Sequence, residues 1–431
     1  MWKQALVHPQ PAADASMTTV TKNSVAYVCT IFPAWTETFV VREVEELTKL
    51  GWSVTCFSLR WPSRTVASHE MLKWEERTVY SPFLFSARLL IANVCSLLSN
   101  PWRYVWCFMQ LWANIRKPRL LLRSLAVFPK SVYFASIIRK QGQSRVHAHF
   151  AAVAATSAWL IAKFARIPFS FTAHAFDIFS EGYRDSLLPR KIKEAQFVAC
   201  ISNYNRNYLQ EILEPAEEHK PRLVVVHCGV DIQGFSIVRC PPESSNAPTI
   251  LSVGTLLEKK GHCYLIEAMA LLRDRGKDFR CIIVGSGPLE SELRMQVARH
   301  HLQGRVVLTG GLAQDKVQEL MSRADMFCLA CIIGKDGDRD GIPVALMEAM
   351  AKGIPVISTW VSGIPELITS DTGILVPERD EVALANAVEL LIEHPVLRSQ
   401  FGEKGRERVL SHFRADESAK VLASAFSSCE I

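Results

Sequence analysis

Beyond residue 248 short apolar runs alternate with helix-length stretches, and this alternation constrains the fold more than any other feature of the chain. The runs span 250–253, 280–284, 306–308, 326–329 and 355–358, with helix starts between them near Gly261, Pro288, Ala313 and Pro343. Such runs are too short for helices and lack the in–out alternation of half-exposed strands. Repeated strand–helix–strand units bury their strands in a parallel sheet covered by helices on both faces. The first half opens in the same way: an apolar run at 24–32, a helix over 37–50 closed by Gly51, and a run at 54–59. Further runs at 167–172, 197–202 and 223–227 extend a first sheet, and 382–392 reads as an amphipathic helix of the second unit. In doubly wound sheets ligands sit on the loops that follow strand C-termini. The loop 33–38 and His174, just past a strand, are therefore candidate cleft elements.

A chain of 431 residues exceeds one typical core and predicts two domains. The expected division is a loose polar tail 1–23, a first domain 24–240, a linker 241–248, a second domain 249–410 and a last helix within 411–431. The linker reads PPESSNAP, polar and bracketed by prolines. The tail has no apolar signal-peptide core, and Met17 offers an alternative start. The formal charge of +6 is divided unequally, at +10 over the first 246 residues and −4 over the rest. Twelve cysteines show no disulfide-framework spacing, which fits a reducing cytosol. Cys328 and Cys331 form a C-x-x-C on an apolar run and read as small core residues.

Between Arg77 and Phe176 there is no Asp or Glu, against thirteen Lys and Arg. Trp102, Tyr104, Trp106 and Trp112 are interleaved with long apolar runs, the longest broken by Arg88 and short of the roughly 20 residues a membrane span needs. A basic, tryptophan-rich amphipathic segment over 77–145 predicts a surface that lies on anionic lipid. Nucleic acid ranks lower, because the basic residues are diluted in aliphatic rather than polar neighbours. Packed helices with snorkelling cations are the structural alternative.

Three loops carry chemistry-bearing residues. Asp336-Gly337-Asp338-Arg339-Asp340-Gly341-Ile342-Pro343 runs into the apolar stretch of Glu348 and Met350, with Pro343 suited to a first helical turn. If one helix carried both carboxylates, Asp340 and Glu348 would lie roughly 12 Å apart along its axis, matched to an extended ligand with hydroxyls at both ends. The D-x-D-x-D-G pattern resembles a calcium loop, but Met347 stands where the bidentate glutamate belongs. Asp336 and Asp338 also resemble the metal-holding pair of a manganese-dependent sugar transferase. Gly254-Thr255-Leu256-Leu257-Glu258-Lys259-Lys260-Gly261 sets two lysines at a strand-to-helix turn, an arrangement that holds pyrophosphate. Gly285-Ser286-Gly287 begins a dinucleotide fingerprint whose third glycine is replaced by Glu290. His147, His149 and His174 together suggest a metal, but no cysteine or carboxylate completes a convincing ligand set.

The order and spacing of these motifs resemble the family 4 glycosyltransferases, most closely the colanic-acid and exopolysaccharide type. The likeness rests on Phe32-Pro33…Thr36-Glu37-Thr38-Phe39, on Phe171-Thr172-Ala173-His174-Ala175-Phe176-Asp177, on the lysine and glycine turns, on Asp338 to Pro343 with Glu348, and on Gly363…Pro365-Glu366. It implies the α/β GT-B architecture, two Rossmann-like domains facing across a cleft, with the C-terminal helix crossing back to the first. It implies a hexosyltransferase that retains anomeric configuration and takes a UDP- or GDP-sugar without a bound metal or other cofactor. In the roles it implies, Glu348 binds the nucleotide ribose, Asp340 stands near the transferred sugar and Lys260 binds the diphosphate. His174 lines the sugar pocket, Gly341, Ile342 and Pro343 supply backbone contacts, and Gly285 and Gly287 lie near the base. Gly254, Thr255, Lys259, Glu37 and Glu366 complete the donor-binding set, and Asp336 and Asp338 shape the loop.

Two departures stand out. Thr255 occupies the position of the family's diphosphate arginine, with Lys259 as the substitute cation, and Asp340 is one methylene shorter than the usual glutamate. The implied acceptor is a growing, lipid-linked saccharide at the cytoplasmic membrane surface. Alternatives are a GT-B scaffold that binds nucleotide-sugar without turnover and a nucleoside-diphosphate-sugar epimerase.

Overall fold

The computed structural model describes residues 23–34, 37–62, 69–184, 187–213, 222–231 and 247–428, without the side chains of 69–72. Residues 1–22 of the expected tail, 241–246 of the linker, and Trp35 and Thr36 of the loop 33–38 lie outside them. The first sheet has seven parallel strands in the order β3-β2-β1-β4-β5-β6-β7. They are β1 (Ser24–Ile31), β2 (Ser53–Arg60), β3 (Val79–Tyr80), β4 (Val146–His149), β5 (Phe169–Ala173), β6 (Val198–Cys200) and β7 (Leu223–Val225). The second sheet has six, in the order β10-β9-β8-β11-β12-β13, also parallel. These are β8 (Thr249–Val253), β9 (Arg280–Val284), β10 (Val306–Gly310), β11 (Met326–Cys328), β12 (Val356–Thr359) and β13 (Gly373–Val376). The central strands are buried on both faces, as their continuous apolar composition dictates.

In both sheets the strand order turns back beside the first strand, between β1 and β4 and between β8 and β11. Loops leaving those neighbours diverge and open the crevice where such folds bind ligands. β3 and β13 have no counterpart in the sequence reading, because Val79–Tyr80 is two residues long and Gly373–Val376 begins on a glycine.

The C-terminal helix does cross back. Ala419, Leu422, Ala425 and Phe426 are buried in one cluster with Tyr27, Trp52 and Phe197 of the first domain. Phe426 packs on the rings of Trp52, His147 and Phe197, and its burial contributes about 2 kcal/mol. This helix is not the continuous 411–428 segment expected from sequence. Pro395–His412 is one helix, the chain breaks at Phe413 and Arg414, and Ala415–Ser427 is another. The break is fixed by a parallel bridge between Val230 and Arg414.

The basic segment folds into three helices. Ser86 caps Ala87–Ser99 through Leu89 N, and Asn100 caps Pro101–Asn114 through Arg103 N. Phe83, Phe85, Leu98 and Trp102 are among the most exposed large side chains of the protein. The third helix, Pro118–Lys140, is long and apolar enough to cross a membrane, contrary to the sequence reading of this segment. Leu120, Val127, Phe128, Phe134 and Ile138 bury it in the first core instead.

Candidate active site

The second-domain wall is made by three loops that follow β8, β9 and β11. After β8 a short 3-10 turn, Glu258–Lys260, leads through Gly261 into the helix His262–Asp274. Gly261 has φ +62, and a Cβ there would stand 1.8 Å from the carbonyl oxygen of Ala330. Glycine is thus required for the lysine turn to seat against the end of β11. Gly285, at φ +151, packs so closely that a Cβ would lie 1.9 Å from Gly254 O. Gly254 N donates to Val284 O and Leu256 N to Ser286 O, both at 3.0 Å. The glycine pair therefore serves backbone-on-backbone packing of two turns, a local reason independent of any dinucleotide.

Lys260 Nζ lies 2.7 Å from Asp340 Oδ2, and its stem passes over Gly254, where a Cβ would meet it at 3.3 Å. Lys259 pairs with Asp338 at 3.1 Å and stands 3.9 Å from Asp340. Burial opposes the charge on Lys260 and Asp340 alike, yet each partner overrides it. Lys260 is held above its ordinary value and Asp340 below. The Cys331 thiol, pushed well up by burial and then by Asp340, donates to the same carboxylate oxygen at 3.5 Å. Thr255 is exposed beside this cluster. Lys259, expected to replace the missing arginine, is already engaged by Asp338 and lies 5.9 Å above the ring of Phe176.

The helix that carries Glu348 is Val344–Ala351, one residue shorter at its start than the sequence suggested. Pro343, at ψ +125, is its cap rather than its first turn, and Asp340 lies in the loop before it. The axial separation supposed a helix running through Asp340, and that separation does not apply. Glu348 Oε1 accepts from Arg42 Nη2 at 3.0 Å. Arg42 belongs to the helix Thr38–Lys49 of the first domain, so the pair spans the cleft.

Other contacts draw the two walls together. Asp336 accepts from Ser180 Oγ at 3.0 Å, and its carbonyl accepts from Glu181 N at 2.9 Å. Arg339 covers the ring of Phe179 at 4.6 Å and donates to Tyr204 Oη. A Cβ on Gly341 would stand 2.4 Å from Ile201 Cδ1, and Ile342 is buried next to it. Glu366 accepts from Asn203 N, Asn203 Nδ2 and Tyr204 N at 2.8–2.9 Å. It thus caps the first-domain helix Asn203–Ile212, a role the motif alone did not reveal. Burial pushes its pKa up, but His227, Asn203 and Tyr204 outweigh that and bring it to about 2.

The first-domain wall is different in kind. His149 ends β4, and His174 follows β5. Their rings meet at His149 Nδ1 and His174 Nε2, 3.1 Å apart, while His149 Nε2 lies 3.0 Å from Glu43 Oε1. Tyr27 Oη donates to the same Glu43 oxygen at 2.6 Å. His174 is packed between Phe39 and Phe150, at centroid distances of 5.0 and 4.3 Å, with Phe150 at a left-handed φ of 74°. Asp177 Oδ2 accepts from His174 N and Ala151 N, tying the two strand-end loops together. Burial drives His174 and His147 well below the ordinary imidazole value, Asp177 up to about 6 and Glu37 up to about 7. Glu43, His147 and His149 bring three ligand-type atoms within 4.8 Å of one another. His147 is committed to Ser170 and Thr172, and both ring nitrogens of His149 are paired as above. Glu43 thus supplies the carboxylate that the sequence reading did not find beside these histidines; it is hydrogen-bonded to His149, while His147 is bonded elsewhere.

The walls thus face each other as a lysine–carboxylate pair beside a helix start and a neutral imidazole. Sequence reasoning missed Arg42 and Glu43. Their signal was present: two charges set inside Phe39-Val40-Val41-…-Val44, on a helix whose apolar face packs on β1.

Two family models match the chain, Glycosyltransferase Family 4 over residues 36–233 and glycosyl transferases group 1 over 239–408. The putative colanic acid biosynthesis glycosyltransferase WcaL of Escherichia coli K12 is 36% identical over 58% of this chain and 62% of its own. The amylovoran biosynthesis glycosyltransferase AmsK of Erwinia amylovora is 38% identical over 46% of this chain and 47% of its own. The chain thus spans about half to three fifths of the length of these curated relatives. The crystal structure of Anabaena HepE in complex with UDP superposes with a TM-score of 0.69 at 16% identity, over 94% of this chain and 100% of that one. That likeness shows the GT-B fold, and the two family models, matched over residues 36–233 and 239–408, place the chain among the family 4 glycosyltransferases.

Proposed function

We propose that this protein is a retaining hexosyltransferase that moves a sugar from a UDP- or GDP-sugar to a growing, lipid-linked oligosaccharide or polysaccharide. The observation that carries this reading is the Lys260–Asp340 pair, 2.7 Å apart at the turn into the second-domain cleft, set opposite the neutral ring of His174. Breaking the bond between the anomeric carbon and the diphosphate oxygen leaves negative charge on that oxygen. Lys260 is already cationic and placed to stabilise it, without reorganisation at the moment of reaction. Glu348, on the same wall, accepts ribose hydroxyls. His174 and Asp340 contact hydroxyls of the transferred sugar. With front-face attack, the acceptor oxygen bonds to the carbon as the diphosphate leaves, and its proton passes to the departing oxygen. The chemistry requires no metal, since Lys260 and backbone N–H groups supply the positive field.

The acceptor reading is supported by the helices Ala87–Ser99 and Pro101–Asn114. Phe83, Phe85, Leu98 and Trp102 are 77–97% exposed, and Arg88, Arg116, Lys117, Arg119 and Arg123 of the same segment are exposed as well. Exposed aromatic and aliphatic side chains on a segment that carries cations and no carboxylate suit the interface of an anionic bilayer, which delivers a lipid-linked acceptor to the cleft. The reading places the protein on the cytoplasmic face of that membrane. The test is titration calorimetry with UDP, GDP and ADP, followed by transfer from the matching sugar donor and assignment of the product anomer. Binding of UDP or GDP and a retained anomer are expected. An inverted anomer, or binding of none of the three, overturns the reading.

A further inference from the structure

Two aromatic rings meet where β2 and β3 end side by side in the first sheet. Trp61 leaves β2 directly after Arg60, and Tyr80 is the last residue of β3. Their rings stack at a centroid distance of 4.0 Å with 15° between the planes. The stack occupies one face of the indole, and Trp61 keeps 55% of its surface exposed. Neither ring belongs to a core cluster. The strand ends beneath them are held in place. Tyr80 Oη donates to Phe32 O at 3.0 Å. Ser58 Oγ accepts from Phe32 N at 2.9 Å and donates to Arg60 O at 2.7 Å, while Lys130 Nζ donates to Leu59 O at 2.7 Å. A flat ring on ordered backbone loses little freedom when a ligand covers it.

The position of the stack says what could cover it. Phe32 leads into the loop 33–38, which follows a strand C-terminus, where doubly wound sheets bind ligands. On the other side Phe83 follows Tyr80 by three residues, so their Cα atoms are at most about 11 Å apart. The stack therefore lies between a cleft loop and the exposed tips of Phe83 and Phe85. Arg60, next to Trp61 in the chain, is exposed. Lys130 stands near it: burial, followed by the Arg60 charge, holds that amine below its ordinary value. Among the described residues no carboxylate pairs with either cation, so both keep N–H groups for a ligand.

We infer that Trp61, backed by Tyr80, is a subsite for one sugar ring of the acceptor, which lies with a C–H face on the exposed indole. The inference rests on the proposed reading of the acceptor as a lipid-linked saccharide. A pyranose with mainly equatorial hydroxyls has an apolar face of axial C–H groups and a polar rim. The C–H hydrogens carry partial positive charge and meet the negative face of the indole. The rim hydroxyls find N–H donors on Arg60 and Lys130. Tyr80, tied to Phe32 O, fixes the plane of the platform. An acceptor anchored among Phe83 and Phe85 would thus pass over Trp61 on its way to the loop 33–38. A sugar with an axial hydroxyl on the stacked face would be lifted off the indole, so the platform also selects among acceptors.

The test is saturation-transfer NMR on the full chain, wild type against Trp61→Ala and Trp61→Phe. The probes are the methyl pyranosides of glucose, galactose and mannose, with UDP present to fill the nucleotide site. Trp61 is exposed and outside the cores, so both variants should keep the wild-type unfolding midpoint. For at least one probe, the protons of a single ring face are expected to take most of the saturation. Trp61→Ala should abolish that preference and weaken binding of the probe about 5- to 20-fold, the share of one aromatic face. Trp61→Phe, which keeps a ring, should retain the preference. Even saturation of all ring protons, no saturation with any probe, or a pattern unchanged in Trp61→Ala overturns the subsite. A second arm separates sugar from lipid: Trp61→Ala should sediment with phosphatidylglycerol vesicles as wild type does. Lost vesicle binding with unchanged glycoside spectra would make Trp61 a lipid-facing residue and overturn the subsite. The NMR measurement needs no turnover. A protein that moves no sugar from UDP- or GDP-sugars would therefore sink the proposed function, while the glycoside spectra still decide the platform.

Discussion

The two walls of the cleft handle charge in opposite ways. On the second-domain wall Lys260 and Asp340 sit 2.7 Å apart, and each keeps the other ionised against burial. On the first-domain wall burial wins: His174 and His147 are driven toward neutrality, Asp177 to about 6 and Glu37 to about 7. Both walls are doubly wound sheets with ligand loops at strand C-termini, so the fold does not set the difference. Partner geometry sets it. The lysine turn supplies a counter-ion within hydrogen-bond reach of two of the three acidic-loop carboxylates, Asp338 and Asp340. The histidines find each other, hydroxyls, one glutamate and the Cys228 thiol. A site divided in this way suits a ligand with a diphosphate at one end and uncharged hydroxyls at the other.

The largest effect is expected where the charged wall loses its cation. Lys260→Ala should lower transfer by about 10²- to 10³-fold, the range found when one preorganised donor to a developing anion is removed. It also leaves Asp340 buried without its nearest partner, with a stability loss of about 3 kcal/mol. Steady-state kinetics and denaturant unfolding check the two parts separately. Lys260→Met, which keeps the stem over Gly254, should lose activity equally. Activity within about threefold of wild type would remove Lys260 from the diphosphate site and break the contrast.

How much of this was legible in the sequence depends on whether a feature is local. The alternation of apolar runs and helices gave both sheets, because burial on two faces leaves a composition that needs no tertiary knowledge to read. The start of Val344–Ala351 and the break at Phe413 slipped by one to a few residues, since a proline at a cap and a proline at a first turn look alike in sequence. Lys260 and Asp340 were singled out from loop chemistry and resemblance, and the structure brings them together. Their partnership was not legible, because 80 residues separate them. The same holds for Arg42 with Glu348, and for Glu366 with the helix at Asn203: only the folded cleft pairs residues from different domains. Glu37 was read as one of the donor-binding residues, and nothing local announces that burial pushes its carboxyl up to about 7.

That residue offers the next test, on the neutral wall. Burial raises the Glu37 carboxyl from 4.5 to about 7, with His149 lowering it in part and Asp177 adding to the rise. A raised folded-state value means that the native protein holds this proton more tightly than the unfolded chain. The contribution to stability is complete below about 4.5 and is lost as pH rises through 7. Glu37→Gln should therefore match wild type in acid and exceed it by about 2 kcal/mol above neutrality, after discount for the partial exposure of the side chain. Unfolding midpoints measured across that range check it. A constant difference at every pH would mean that Glu37 titrates normally, and that the first-domain wall is not held neutral at this position.

The smallest effect tests the seam where the two regimes meet. Glu366 rises from the charged wall, with a side chain 21% exposed, and lands on the N-terminus of the Asn203–Ile212 helix. Burial opposes its charge, but the His227 ring 3.7 Å away and the N–H donors of Asn203 and Tyr204 bring it to about 2. The sign is the reverse of Glu37: stability is present above about 4.5 and lost as pH falls toward 2. Glu366→Gln keeps one acceptor oxygen for the helix N–H groups while removing the charge that the helix terminus favours. A loss of about 1 kcal/mol is expected at neutral pH, shrinking to nothing near pH 2, as read from paired unfolding curves. Because this carboxylate joins the domains, part of that loss should appear as easier opening of the cleft, seen as a larger radius of gyration in solution scattering. A stability loss without expansion would assign Glu366 to the local capping of one helix, and leave Arg42–Glu348 and the acidic loop to hold the walls together.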